Sequence, residues 1–295
     1  MTLQINREEL KKHIINLIRI TSTDLPADMV KSIKDAAKKE KKGSSAENVF
    51  KMILKNIELA KKNSTPICQD TGTNIYYISK PVGVSSREIE SIIKEATTEA
   101  TKKSYLRPNS VDSLTGENPG DNSGIMTPFI NFEEWDDDAL QIKLMLKGGG
   151  CENVSTQYTL PDANTSAGRD LDGVYKCVVD AINNAQGLGC APGVVGVGIG
   201  GDRTTSMIVA KKQLFRKNDD TNTDPKIAKL ENKLTKDLNT LGIGPMGFGG
   251  KTTVFTTKIG HLHRLPASFF VSISYMCWAH RRHSLTVKNG EYIYD

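Results

Sequence analysis

A cysteine stands two residues ahead of an aspartate in Pro66-Ile67-Cys68-Gln69-Asp70-Thr71-Gly72-Thr73, so a soft thiol and a hard carboxyl share one tight turn. Such a pairing suits the lip of a metal centre. Cys151, Cys190 and Cys277 also fall at predicted loop or strand ends, beside Gly, Pro or polar residues. Cys177 differs, because it lies on the stripe Val174, Cys177, Val178, Ala181 of a helix predicted over 171–186, and it reads as core. The separations among the other four are too long for a zinc knuckle or a C-x-x-C redox pair. Spacing alone therefore leaves core filler, metal ligand and nucleophile open. One of the open readings is an iron–sulfur cluster, whose soft core takes thiolates and which, with three ligands instead of four, leaves one iron for a substrate oxygen.

The chain around these residues is that of an ordinary soluble globular protein. At 295 residues and 38% hydrophobic content it can bury a sizeable core in one large or two fused domains. The net charge of +5 is spread among 34 acidic residues, and no stretch interleaves Lys or Arg with aromatics, which argues against a nucleic-acid binder. Five cysteines, an odd number, argue against a disulfide framework and suit a reducing compartment. No run approaches the roughly 18 apolar residues of a membrane span, and MTLQINREELKKHI lacks the apolar centre of a signal peptide, so a cytoplasmic location is expected.

The elements that must position the cysteines follow from periodicity. Leu10, Ile14, Leu17 and Ile18 predict a helix over 7–19; a second starts at Pro26 and runs into the solvated Lys38–Lys42 end. A third, capped by Ser44 or Ser45, carries Val49, Met52, Ile53, Ile57 and Ala60 on one face. These make an N-terminal helical layer, about residues 1–62, feeding the Cys68 turn. Ile75–Ile78 reads as a strand, and Ser85-x-x-Glu88 as the capping box of a helix with Ile89, Ile92, Ile93, Ala96 and Ala100 inside. Residues 116–124 are loop, and 139–146 alternate as a half-buried strand running into Gly148-Gly149-Gly150, which is expected to be a ligand-facing loop. Strands are expected at 194–201, 253–259 and 269–276, with helices at 203–214 and 225–239. The expected fold class is α+β, a single mixed domain over 1–295 with the helical layer packed on a mixed β-sheet core.

Two glycine motifs imitate nucleotide sites and fail on context. Gly196-x-Gly198-x-x-Gly201 lies inside a strand and lacks the acidic residue at the right distance. Gly249-Gly250-Lys251-Thr252 has Pro245 where a phosphate loop needs its first glycine, and a strand where it needs a helix.

Eight motifs, spread over nearly the whole chain, resemble those of class I fumarate hydratase and of the alpha subunit of L(+)-tartrate dehydratase. They are Pro66-x-Cys68-Gln69-Asp70-Thr71-Gly72, Leu106-Arg107, Asn118-x-Gly120-Asp121-Asn122, Gly148-Gly149-Gly150-x-Glu152-Asn153, Cys190-x-Pro192, Leu241-Gly242-Ile243-Gly244-Pro245-x-Gly247, Gly249-Gly250-Lys251-Thr252-Thr253 and Cys277-Trp278-Ala279-x-Arg281-Arg282. The resemblance implies an iron–sulfur hydro-lyase, in which a [4Fe–4S] cluster with one open iron site removes water from a 2-hydroxy dicarboxylate. It implies Cys68, Cys190 and Cys277 as cluster ligands, with Cys151 near them but not on iron. Asp70 matches a catalytic acid or base, for which a turn-stabilising side chain is the alternative. Arg107 matches the arginine that holds a substrate carboxylate with its bidentate fork, and Gln69 and Gly150 add substrate contacts.

Gly120-Asp121-Asn122 and the 249–253 motif lean toward malate and fumarate, whereas Cys277–Arg282 leans toward tartrate. A non-catalytic iron–sulfur scaffold is the alternative of a different class. Where the family has a histidine after an arginine, this chain has Arg264-Leu265, with His261 and His263 just upstream. Ending near residue 295, the sequence lacks the family's second, swivelling domain. The resemblance therefore implies a beta subunit that completes the pocket, with an alpha homodimer inside a heterotetramer.

Overall fold

Asn6 caps the first helix by accepting the Glu9 N–H at 3.1 Å, and the Leu10, Ile14, Leu17, Ile18 stripe is buried in it. The structure, a computed structural model, describes residues 5–295. In chain order the elements begin with α1 (Arg7–Thr23), α2 (Ala27–Lys39), α3 (Ser45–Asn63), β1 (Thr73–Lys80), α4 (Ser86–Lys102) and β2 (Phe129–Glu134). There follow β3 (Leu140–Lys147), α5 (Gly149–Asn153), β4 (Thr156–Thr159), α6 (Leu171–Ala185), β5 (Gly193–Ile199) and α7 (Arg203–Gln213). The chain continues through α8 (Pro225–Leu238), β6 (Val254–His261), β7 (Phe270–Met276), β8 (Arg281–Lys288) and β9 (Glu291–Tyr294). Helices and mixed sheets together make the fold α+β, and among the described residues no helix is long and apolar enough to cross a membrane.

Contacts divide the chain into two units. The first takes the residues up to Pro26, Asn56–Gly148 and Arg281–Asp295; the second takes Ala27–Lys55 and Gly149–His280. The opening helices are thus shared out, α1 to the first unit and α2 to the second, while α3 changes unit at Asn56. On α3, Val49, Ile53, Ile57 and Ala60 are buried as their spacing requires, but Met52 is 64% exposed and does not belong to that face.

The first unit is a five-stranded sheet in the order β2-β1-β3-β8-β9, with β1 and β2 parallel and the other pairs antiparallel. Leu140, Ile142, Leu144 and Leu146 alternate along β3 into a core shared with α1 and α4. Ser85 caps α4 by accepting the Glu88 N–H at 3.3 Å. The register sets Leu146 of β3 opposite Arg281 of β8, so a buried arginine opens the strand next to the β3 end.

The second unit is a four-stranded sheet in the order β4-β7-β5-β6, with β5 and β6 parallel. Its central strand β5 is buried along its whole length. Val195 and Val197 face a core made with α6 and α8, which includes Val174, Cys177 and Leu234. Gly196 and Gly198 face α7: a Cβ on Gly196 would lie 2.2 Å from the Ala210 carbonyl oxygen, and one on Gly198 would lie 2.0 Å from that of Ser206. Close approach of a helix backbone, not a dinucleotide, accounts for this glycine motif. Gly198→Ala is expected to force α7 off the sheet and to destabilise the protein by about 1–3 kcal/mol or more, read as a lowered thermal midpoint. An unshifted midpoint would mean that α7 tolerates the displacement.

Candidate functional site

In the first unit the turn after α3 is built from both sides. The Ile67 N–H donates to the Ser22 carbonyl at 3.0 Å, and Asn56 Nδ2 donates to the Ile67 carbonyl at 2.8 Å. Cys68 and Asp70 are half-buried and Gln69 is exposed. Asp70 Oδ1 accepts the Gly72 N–H at 3.0 Å, so its carboxylate does serve the turn, whatever else it does. Gly72 has φ +79°, and a Cβ there would sit 2.8 Å from the Lys147 backbone, which makes glycine the residue this position takes.

Arg107 is brought to the same turn by its neighbours. Buried Thr71 accepts the Arg107 N–H at 3.0 Å and Asn109 Nδ2 at 2.9 Å through its Oγ1. Asn122 donates to the Arg107 carbonyl at 2.8 Å and accepts the Asn109 N–H at 2.8 Å. The Arg107 guanidinium is exposed and donates to the Gln69 carbonyl at 3.4 Å. Arg281, 1% exposed, donates from Nη1 to the Asp70 carbonyl at 2.8 Å. Sequence reasoning placed Cys68, Gln69, Asp70 and Arg107 together but assigned nothing to Thr71, Asn122 or Arg281. For Asn122 the motif itself was the available signal.

In the second unit the stretch expected as a ligand-facing glycine loop is instead a helical turn, α5, in which Gly149 and Gly150 take no left-handed backbone angle. Gly150 is exposed, and a Cβ on it would meet nothing nearer than the Leu188 carbonyl at 3.4 Å. Internal packing therefore does not demand glycine at 150. Cys151 is buried in α5; its sulfur accepts the Cys277 N–H at 3.3 Å, and its carbonyl accepts Ser155 Oγ at 2.7 Å. Ser155 Oγ in turn accepts the Tyr275 N–H at 3.1 Å.

Cys190 is half-buried with φ +55°, and its carbonyl accepts the Trp278 N–H at 3.3 Å, which ties its loop to the end of β7. Tyr275 lies among these groups. Burial, and then the sulfurs of Cys277, Cys151 and Cys190 around it, push its phenol well above the ordinary range. Its ring occupies the space where Gly189 and Gly193 lack side chains, since added Cβ atoms would fall 2.5 and 2.3 Å from it. Cys190, Cys277 and Cys151 are thus brought together in this unit, with Tyr275 as the residue that sequence reasoning missed. Cys68 belongs to the first unit.

The histidine question falls on an exposed stretch. Leu265 is 72% exposed, and His261 and His263 are exposed too, the latter accepting the Gly201 N–H through its carbonyl at 3.1 Å. The Ile227 and Lys226 N–H groups hold the Asp224 carboxyl below its usual range, with a smaller contribution from nearby His261.

The donor chemistry fits a thiolate-held iron–sulfur group. Cys68 and Cys190 are half-buried on turns, Cys277 ends a strand, and none of the five cysteines is in a disulfide. Cys177 is the contrast: burial in the α6 core pushes its thiol up to about 12, where it stays protonated and inert. Among the described residues no three His, Cys, Asp or Glu side chains are grouped to hold a single metal ion. A cluster that spreads its ligands over several irons does not have to meet that condition.

The family model described as fumarate hydratase (Fumerase) matches residues 11–286. A Geobacillus stearothermophilus protein bearing the name fumarate hydratase class I is 49% identical over 278 residues, 93% of this chain; the chain spans about half of that protein, 54% of its length. A Methanocaldococcus jannaschii protein bearing the name L(+)-tartrate dehydratase subunit alpha is 38% identical over 274 residues, 91% of this chain and 94% of its own length. The L(+)-tartrate dehydratase subunit alpha of Escherichia coli K12 is 32% identical over 287 residues, 95% of this chain and 91% of its own. The match thus runs almost end to end, and the chain belongs to the fumarate hydratase (Fumerase) family, whose relatives named here are hydro-lyases.

Proposed function

We propose that this chain, as one catalytic domain over 1–295, is the alpha subunit of a cytoplasmic hydro-lyase that interconverts (S)-malate with fumarate and water. The observation that carries the reading is the Cys68–Gly72 turn, which sets a thiol and a carboxylate on one short piece of backbone, with the exposed Arg107 guanidinium donating to its Gln69 carbonyl. Such a turn offers a charge partner and a proton-transfer group to a hydroxy dicarboxylate. Cys68, Cys190 and Cys277 would hold a [4Fe–4S] cluster. Bound there, with one iron lacking a thiolate, it supplies Lewis acidity toward a hydroxyl oxygen.

The chain's own residues do the rest. Arg107 grips one substrate carboxylate in a bidentate fork and fixes the molecule against the turn. The Gln69 side chain and the Gly150 N–H make further polar contacts, and absence of a side chain at 150 lets the substrate come close. Asp70, aimed by its bond to the Gly72 N–H, takes the C3 proton as hydroxide leaves C2, and returns it in the hydration direction. A beta subunit supplies the remaining substrate-binding groups, and two alpha chains pair within a heterotetramer.

A second reading is L(+)-tartrate dehydratase, with oxaloacetate as product. It is favoured by the Cys277–Arg282 motif and by two relatives of nearly equal length that carry that name. The chain co-produced with its partner subunit, purified anaerobically and supplied with iron and sulfide, should turn over malate and fumarate with the highest kcat/KM in a panel that adds mesaconate and both tartrates. A winning L(+)-tartrate would replace the first reading with the second, and a winning mesaconate would make the enzyme a mesaconate-type hydratase. Stoichiometric iron without turnover of any of them would make the subunit an iron–sulfur scaffold.

A further inference from the structure

Three cations of the interior meet carboxylates. Lys80 pairs with Glu134 at 2.7 Å, Lys258 with Asp220 at 2.8 Å, and half-buried Arg216 with Glu231 at 2.7 Å. Arg281 is different. It is the largest fully buried side chain, 1% exposed, and the acceptor it finds is a peptide carbonyl, that of Asp70 at 2.8 Å. Its Nε is buried with no partner among the described residues. A guanidinium this deeply buried, with one neutral oxygen for its acceptor among the described residues, is costly to keep, so a packing role alone would be better filled by an apolar side chain.

We infer that Arg281 is a positioning residue, which clamps the Asp70 peptide and so fixes where the Asp70 carboxylate points. The inference rests on the proposed role of Asp70 in proton transfer. Besides the bonds at Ile67 and Gln69, three contacts bear on the Asp70–Gly72 part of the turn. Thr71 is bound by the Arg107 N–H and Asn109, Gly72 is wedged against the Lys147 backbone, and the Asp70 carbonyl is held by Arg281. The third hold acts on the peptide between Asp70 and Thr71, whose rotation would swing both the Asp70 side chain and the neighbouring Gln69. Because Arg281 opens β8 opposite Leu146 of β3, the clamp is anchored in the sheet rather than in a loop. Only one N–H of the guanidinium makes the bond, so an ammonium at the same place can replace it.

Arg281→Met and Arg281→Lys, in the full chain assembled with its partner under anaerobic conditions, test this. In Arg281→Met, amide exchange in the peptide covering 66–73 should quicken by about tenfold or more. Its kcat should fall roughly thirtyfold to a hundredfold at nearly unchanged KM and iron content, as a small misplacement of a reacting group predicts. Arg281→Lys should restore slow exchange and most of kcat. Unchanged exchange at 66–73 in a folded Arg281→Met protein overturns the inference. So does an Arg281→Lys protein that is folded but exchanges as fast as the methionine variant. Should the wild-type assembly hold its cluster and turn over no substrate, the hydro-lyase reading fails on that count, while the exchange measurement still decides the clamp.

Discussion

Serine at position 68, 190 or 277 is expected to cost the protein its cluster: each single variant should lose stoichiometric iron and sulfide on anaerobic purification, and activity should fall by at least about a hundredfold, beyond the usual effect of removing a group that merely supports a metal ligand. The hydroxyl is a hard, weakly acidic donor and does not replace a thiolate on a soft iron–sulfide core. Cys151→Ser is the informative control. The Cys151 sulfur accepts the Cys277 N–H at 3.3 Å, and a serine hydroxyl oxygen can accept the same N–H, so cluster content should survive. Cys151→Ala should do worse than serine, because it leaves a buried N–H unanswered next to a proposed ligand. Cys177→Ser, on the apolar face of α6, should lower thermal stability without touching iron content. Iron and sulfide analysis of the six variants, with activity assays and a thermal midpoint for Cys177→Ser, reads all of this. Full retention of iron in Cys68→Ser, Cys190→Ser and Cys277→Ser alike would end the cluster assignment.

Arg107→Met should leave iron and sulfide in place and still reduce kcat/KM on a dicarboxylate by roughly thirtyfold to a thousandfold, the scale of a desolvated charge pair losing one partner. Arg107→Lys keeps the charge but not the planar fork, and should recover only part of the loss. A loss that follows KM assigns Arg107 to ground-state binding, whereas an equal loss in kcat assigns it to the transition state. The Arg107 N–H and carbonyl are held by Thr71 and Asn122 through backbone atoms, which the substitution does not alter, so the fold is not expected to follow the activity down. Unaltered kinetics in Arg107→Met would remove it from the substrate site.

Much of the local architecture could be read before any coordinates. The α1 stripe, the Ser85 cap of α4, the alternation along β3 and the buried place of Cys177 all follow from periods of 3.6 and 2 residues and from end groups, which neighbouring residues decide among themselves. Four strands escaped that reading. β8 opens on Arg281, Arg282 and His283, all buried, so its charges hid a strand whose place is set by pairing with β3. β2 and β9 are edge strands with mixed exposure, and β4 is four residues long.

By itself, the amino-acid sequence determined every helix but α5 and the strands β1, β3, β5, β6 and β7, set Cys177 apart from the other cysteines, and carried the motif resemblance that points to a hydro-lyase. Only the tertiary structure decided that Gly196 and Gly198 serve helix packing, that Tyr275 fills the space left by Gly189 and Gly193 among three sulfurs, and that Arg281 reaches the Asp70 carbonyl 211 residues away in the chain. The reason is range. Propensity and periodicity act over a few residues, whereas these contacts exist only once sheet register has brought distant backbones side by side.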